Sequence, residues 1–73
     1  MSRTVYWVAP MRGSWDVRRG ESVVSHHERK RDAVRAAAKL ARVDRPSVLR
    51  IQRRDGSIEG RRLYGDDPLL APG

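Results

Sequence analysis

The chain has 73 residues, no cysteine and a formal net charge of +7 at pH 7. Such a chain makes one small domain with a thin core, burying only about 60% of its unfolded surface. The lack of cysteine excludes disulfide bonds and cysteine-based metal sites, and no apolar stretch approaches the roughly 20 residues of a membrane span. The first residues lack the apolar core of a signal peptide, so we expect a cytoplasmic protein without a membrane partner.

Arginine accounts for 14 of the 16 basic residues. The guanidinium group suits bidentate recognition of phosphate better than the lysine ammonium does. A high ratio of arginine to lysine is also typical of a GC-rich genome, but genome composition does not account for the net charge. The charge therefore predicts a polyanionic partner, DNA or RNA.

The first part of the chain predicts a meander of short strands. Residues 4–10 are rich in β-branched and aromatic types, which favour a strand. Residues 15–19 alternate apolar and charged side chains, as a half-buried antiparallel strand does, and Gly13 before them can supply a positive φ. After a turn at 20–21, residues 22–25 predict a short third strand or extended segment.

Residues 29–42 form the segment with a sustained helical period. No Ser, Thr, Asp or Asn stands at the expected N-cap around Glu28 or Arg29, so the helix start is weakly specified. One face is small and apolar, with Ala33, Val34, Ala37, Leu40 and Ala41. The other face carries the helix ridge, a run of cations at Arg31, Arg35, Lys39 and Arg42. Like charges at this spacing repel one another, so the ridge serves solubility or an acidic partner rather than helix stability.

The segment after the helix predicts a hairpin. Pro46 cannot continue the helix, and residues 47–53 and 58–64 both have the composition of strands. Asp55-Gly56 between these two runs is a strong hairpin signal, although Gly60 weakens the return strand.

The element order predicts an α+β fold, in which a small antiparallel β-sheet, ββ(β)αββ, carries one helix packed on one face. We expect residues 1–66 to form this single domain and 67–73 to form a flexible C-terminal tail. Strand parity assigns the side chains to two faces. The helix-facing side is expected to hold Tyr6, Val8, Trp15, Val17, Leu49, Ile51, Ile58 and Tyr64. The opposite side, called the open face below, is expected to hold Val5, Trp7, Arg18, Val48, Arg50, Arg61 and Leu63.

Several short motifs give the chain a resemblance to a known family. They are Tyr6-Trp7-Val8-Ala9-Pro10, Trp15-Asp16-Val17, Ala33-Val34 with Ala36-Ala37, Arg54-Asp55-Gly56-Ser57-Ile58 and Tyr64-Gly65-Asp66-Asp67-Pro68. Through these residues nearly the whole chain resembles the small bacterial and phage proteins catalogued as domain of unknown function 2188. The resemblance implies no assigned activity and no catalytic residues, and family members usually carry Thr or Ser where this chain has Arg29. The arrangement of short strands and one helix is also similar to the arm-type DNA-binding domains of phage integrases.

The sequence lacks patterns typical of catalysis. It has neither a Gly-x-Ser-x-Gly motif nor a glycine-rich phosphate loop, and Asp66-Asp67 before Pro68 is typical of a turn. The adjacent His26 and His27 point to opposite faces of an extended segment, so they do not easily share a metal ion. We therefore predict a protein that is not an enzyme and has no metal site and no cofactor.

Nucleic-acid binding is the predicted function, through one of two basic surfaces. One surface is the helix ridge. The other is the open face, where Trp7 lies among Arg18, Arg50 and Arg61. An exposed aromatic side chain with guanidinium neighbours is suited to base stacking, whereas the ridge offers charge alone. We expect the open face to select the partner and the ridge to add charge.

The alternative is a protein-interaction module with no nucleic-acid role. Val5, Trp7, Val48 and Leu63 on an open face, together with Leu69-Leu70 in the tail, would suit a symmetric homodimer. A phage-encoded protein of this kind would bind a host protein. In that case the helix ridge is a solvated surface, as charge runs usually are.

Overall fold

A computed structural model describes residues 3–65, so the predicted tail, 67–73, lies outside the described residues. The elements in chain order are β1 (Thr4–Met11), β2 (Ser14–Arg19), β3 (Ser22–His27), α1 (Lys30–Val43), β4 (Ser47–Gln52) and β5 (Ile58–Tyr64). The predicted α+β class and element order are confirmed. The third strand is longer than the short segment predicted and includes both histidines.

The strands form one sheet in the order β3-β2-β1-β4-β5. The pairs β1–β2, β2–β3 and β4–β5 are antiparallel, but β1 and β4 are parallel. The sheet is therefore mixed, and the prediction of a wholly antiparallel sheet is wrong for the pair β1–β4. β1, β2 and β3 run alternately up and down, and α1 then runs antiparallel to β3 back across the sheet. β4 therefore starts beside the start of β1 and runs in the same direction.

The core lies between α1 and one face of the sheet. Ala33, Ala37 and Ala41 have no exposed surface, and Ala38, which was not part of the predicted apolar face, is also buried. Alanine side chains let the helix lie close to the sheet, where they meet larger residues. These are Tyr6, Val8, Trp15, Val17, Leu49 and Ile51, with Val34, Ala36, Leu40 and Tyr64 packed around them.

The start of α1 has no side-chain cap, as predicted. Arg29 occupies the N-cap position with extended dihedral angles and makes no side-chain capping hydrogen bond. Lys30 ties this end of the helix down instead, because its ammonium pairs with Glu59 of β5 and lies 5.1 Å from the centre of the Trp15 ring. The hydrogen bond from Lys30 lowers the pKa of Glu59. Tertiary contacts of one side chain thus position a helix end that the local sequence specifies poorly.

The β4–β5 hairpin confirms the turn at Asp55-Gly56 but not the predicted face of Ile58. Gly56 has φ +89°, and Asp55 accepts hydrogen bonds from the hydroxyl (2.6 Å) and backbone N–H (2.9 Å) of Ser57, which lower the pKa of Asp55. The register shifts between Ile51 and Gln52, so that Ile58 pairs with Gln52. Ile58 therefore does not lie on the same face as Tyr64, although regular alternation predicts that it would. Ile58 is consequently 47% exposed and outside the core, since a bulge moves the following side chains to the other face.

A buried tyrosine connects the core to the end of the helix. The Tyr6 hydroxyl, on a side chain only 1% exposed, donates a hydrogen bond to Oδ2 of Asp44. Arg19 Nη1 lies 3.6 Å from the same oxygen. Burial, followed by the hydrogen bond to Asp44, raises the pKa of Tyr6 above its ordinary value of 10.0.

The raised pKa of Tyr6 predicts a loss of stability at high pH. The native state holds the phenol proton at pH values where the unfolded chain has lost it, so the free energy of unfolding falls as the pH rises above about 10. Tyr6→Phe lacks this titration, and the difference in unfolding free energy between the two proteins should shrink from about pH 8 to pH 11 in urea denaturation. Parallel pH profiles for the two proteins would contradict the prediction.

Candidate functional site

The strand register brings four predicted site residues into one line across the open face. Trp7 of β1 lies opposite Arg18 of β2 and beside Arg50 of β4, and Arg50 lies opposite Arg61 of β5. We call Arg18, Trp7, Arg50 and Arg61 the cross-strand row. Neighbouring strands lie about 4.8 Å apart, so the row spans roughly 14 Å from Arg18 to Arg61. Strand parity predicts only that these four residues share a face, and the register shows that they are also neighbours on it.

Trp7 and Arg50 are in direct contact. The Arg50 guanidinium carbon lies 5.0 Å from the centre of the Trp7 ring, within the range of a cation–π interaction. Trp7 is half-buried, whereas the sequence predicted an exposed side chain. The indole is thus a platform on a strand that is paired on both sides.

An open depression of about 250 Å³ lies beside Trp7. Its lining comprises Trp7, Ala9, Arg18, Gly20, Glu21 and Gln52. The β2–β3 turn forms one rim, and two hydrogen bonds hold it there: Gly20 N–H donates to Val5 C=O (3.0 Å) and Arg18 Nη2 donates to Glu21 C=O (3.1 Å). The depression is smaller than the roughly 300–1,000 Å³ of drug-sized ligand pockets, so it suits a single small ring system.

A second line of open-face residues is apolar. Val5 lies beside Val48, and Val48 lies opposite Leu63. Val48 is buried although it is outside the helix-facing core, whereas Leu63 at the edge of the sheet is 61% exposed. The exposed apolar surface of this line is thus concentrated at β5.

A third line holds a buried carboxylate that is not among the predicted site residues. Asp16, 5% exposed, lies opposite His26 and accepts a 2.5 Å hydrogen bond from its Nδ1. A register shift between Val17 and Arg18 leaves one extra residue in β3, and only this shift sets Asp16 against His26. His27 instead lies 2.9 Å from Ser25 Oγ through Nε2, on the other face. The two histidines point to opposite sides, as predicted.

The helix ridge lies on the other side of the molecule. Arg31, Arg35, Lys39 and Arg42 are all exposed, while the opposite side of α1 packs on the sheet. A single extended ligand therefore cannot contact the ridge and the cross-strand row at once without passing around the domain. The structure brings Trp7, Arg18, Arg50 and Arg61 together and separates them from the four ridge residues.

The described residues define a class of protein by its shape and surface. It is a small α+β domain whose helix covers one face of a mixed sheet and leaves the other face free. In residues 3–65 no helix has the length and apolar character needed to cross a membrane.

A comparison with protein families matches residues 6–64 to the family described as "Uncharacterized protein conserved in bacteria (DUF2188)". The match runs from β1 to the last residue of β5, and the chain belongs to this family. The predicted resemblance is thereby confirmed. No curated protein and no solved structure gives a significant match.

Proposed function

We propose that this protein binds nucleic acid through its open face, as a non-enzymatic binding domain. The observation that carries the proposal is the cross-strand row, in which three guanidinium groups and one indole occupy adjacent positions on four neighbouring strands of the sheet. The pairing of Arg50 with Arg61 does not serve the stability of the sheet, because like charges placed opposite one another are destabilising.

Each component of the row has a counterpart in a nucleic acid. Arginine forms paired hydrogen bonds with phosphate oxygens, and the row presents its guanidinium groups along a line of roughly 14 Å. An aromatic ring can stack on any base, whatever its sequence. A net charge of +7 also raises the rate of encounter with a polyanion.

The salt dependence of binding tells whether the helix ridge contacts phosphates in addition to the cross-strand row. For a single strand, the logarithm of affinity falls with the logarithm of salt by about 0.7 for each phosphate neutralised. Three cations in the row predict a loss of about 20-fold between roughly 50 and 200 mM salt. If the four ridge cations also contacted phosphates, the loss would be about 900-fold. We expect the smaller value, measured by fluorescence anisotropy of a labelled mixed-sequence oligonucleotide.

Two results of that titration would contradict the proposal. No detectable binding of DNA or RNA at the lower salt concentration would reject nucleic-acid binding. A slope of the larger size would reject the open face as the sole contact, because the cross-strand row alone supplies too few cations to account for it.

The second candidate is a protein contact, either a homodimer or a host protein bound by a phage-encoded chain. The apolar line Val5, Val48 and Leu63 favours it, with Leu63 61% exposed at the edge of the sheet. A homodimer would give twice the monomer mass in sedimentation at micromolar concentrations, and Leu63→Asp would restore the monomer. A monomer mass throughout would count against the homodimer.

A further inference from the structure

We infer that the depression beside Trp7 takes one unpaired base, so that the ligand of the open face is single-stranded nucleic acid. This inference rests on the proposed function. It adds that the nucleic acid is single-stranded and that the base is the part of the nucleotide that enters the depression.

The position of Trp7 carries the inference. Arg50 lies over the indole but is not among the described residues that line the depression, whereas Trp7 itself is one of them. A base can stack there only if its own face is free. In a duplex both faces of each internal base are covered by neighbouring pairs, and a ring half-buried in a depression cannot reach between them.

The rim of the depression suits the edge of a base as well as its face. Glu21 offers a carboxylate, which only accepts hydrogen bonds, and Gln52 offers an amide, which accepts and donates. Carboxylates accept hydrogen bonds from the amino group of cytosine, whereas thymine and uracil have a carbonyl oxygen at that position. The rim therefore favours cytosine over thymine or uracil among bases of equal size.

Arg18 connects the depression to the phosphates. Arg18 is one of the lining residues, and its guanidinium donates a hydrogen bond to the Glu21 carbonyl on the rim at 3.1 Å. A base stacked on Trp7 would place its own phosphate near Arg18 or Arg50, the two neighbours of Trp7 in the cross-strand row. Stacking and phosphate binding can thus act on the same nucleotide.

The test compares single strands with their duplexes, as DNA and as RNA, at about 50 mM salt. We expect single strands to bind at least about tenfold more tightly than duplexes. Trp7→Ala should weaken single-strand binding by about 5- to 150-fold and change duplex binding by less than about threefold. Runs of cytosine should bind more tightly than runs of thymine or uracil, and Glu21→Gln should reduce that difference.

Trp7→Phe is the matched variant, since it keeps an aromatic ring if Trp7→Ala fails to fold. It should retain most of the affinity but lose the quenching of tryptophan fluorescence by the bound strand, because the remaining Trp15 is buried in the core. Duplexes that bind as tightly as single strands, or quenching that persists in Trp7→Phe, would overturn the inference and leave the proposed function standing. Failure of every nucleic acid to bind would overturn the proposed function itself.

Discussion

Replacing Arg18, Arg50 and Arg61 together with glutamine is expected to reduce nucleic-acid affinity on the order of a thousandfold. The same number of substitutions in the helix ridge, at Arg31, Arg35 and Lys39, is expected to reduce it by less than about tenfold. Each triple variant lowers the formal net charge from +7 to +4. The two variants therefore differ in where the charge is removed and not in how much.

The two variants should differ in affinity because the row arginines contact phosphates directly, whereas the ridge cations act only through their long-range electrostatic field. A guanidinium that touches a phosphate loses a charge-assisted hydrogen bond when it is replaced, at a cost of about 1.5 kcal/mol or more for each contact. The ridge lies on the far side of the domain from the open face. Solvent ions screen its charges over a Debye length of about 8 Å at physiological salt.

Glutamine is a suitable replacement because it keeps much of the length and polarity of the arginine stem. Arg61 is exposed, and the contact described for Arg50 is with the Trp7 ring. Arg18 loses one exposed hydrogen bond to the Glu21 carbonyl, while the backbone bond from Gly20 to Val5 still holds the turn, so the row variant should fold. Circular dichroism and urea denaturation check this before affinities are measured by anisotropy. Equal losses in the two triple variants would mean that binding follows total charge, and a larger loss in the ridge variant would move the site to α1.

The two faces of the sheet could be predicted because the strands have clear period-2 alternation. Trp15 and Val17 alternate with Asp16 and Arg18, and the structure places the first pair in the core. The open-face positions of Trp7, Arg50 and their neighbours follow from the same rule. Alternation is a local property of the sequence, so it predicts the two faces wherever a strand is regular.

The interruptions of regular pairing could not be predicted. The parallel pair β1–β4 depends on the path of the chain through β3 and α1, which no short segment encodes. The bulges opposite Ile51 and Val17 each add one residue to a strand. One of them turns Ile58 away from the core, and the other brings Asp16 against His26. Strand parity assumes regular pairing, so it cannot show either bulge.

These irregular positions also set the limits of the candidate site. The row is continuous because the register between Trp7 and its partners on β2 and β4, and between Arg50 and Arg61, is regular. The bulges lie next to it on β3 and β5. A slip of one residue in either central pair would move a guanidinium to the helix side, so the same packing that fixes the core also fixes the row.

The effect of the bulge at β5 on stability can be tested with two substitutions of similar chemistry. Leu49→Ala removes a side chain with no exposed surface and is expected to cost about 2–5 kcal/mol of unfolding free energy. A domain of 73 residues has about 4–11 kcal/mol in total, so this loss is a large part of its stability. Ile58→Ala removes a side chain that is 47% exposed and should cost about 0.5 kcal/mol or less.

Urea denaturation distinguishes the two outcomes directly. With a slope of about 1 kcal/mol per molar, Leu49→Ala shifts the midpoint by about 2 M or more, and Ile58→Ala by at most about 0.5 M. The two residues lie on adjacent strands and differ in burial because the register shift between Ile51 and Gln52 turns Ile58 outward. A cost for Ile58→Ala close to that of Leu49→Ala would mean that regular alternation continues through β5 and that Ile58 lies in the core. In that case β5 would have no bulge, and Glu59 in place of Ile58 would lie opposite Gln52.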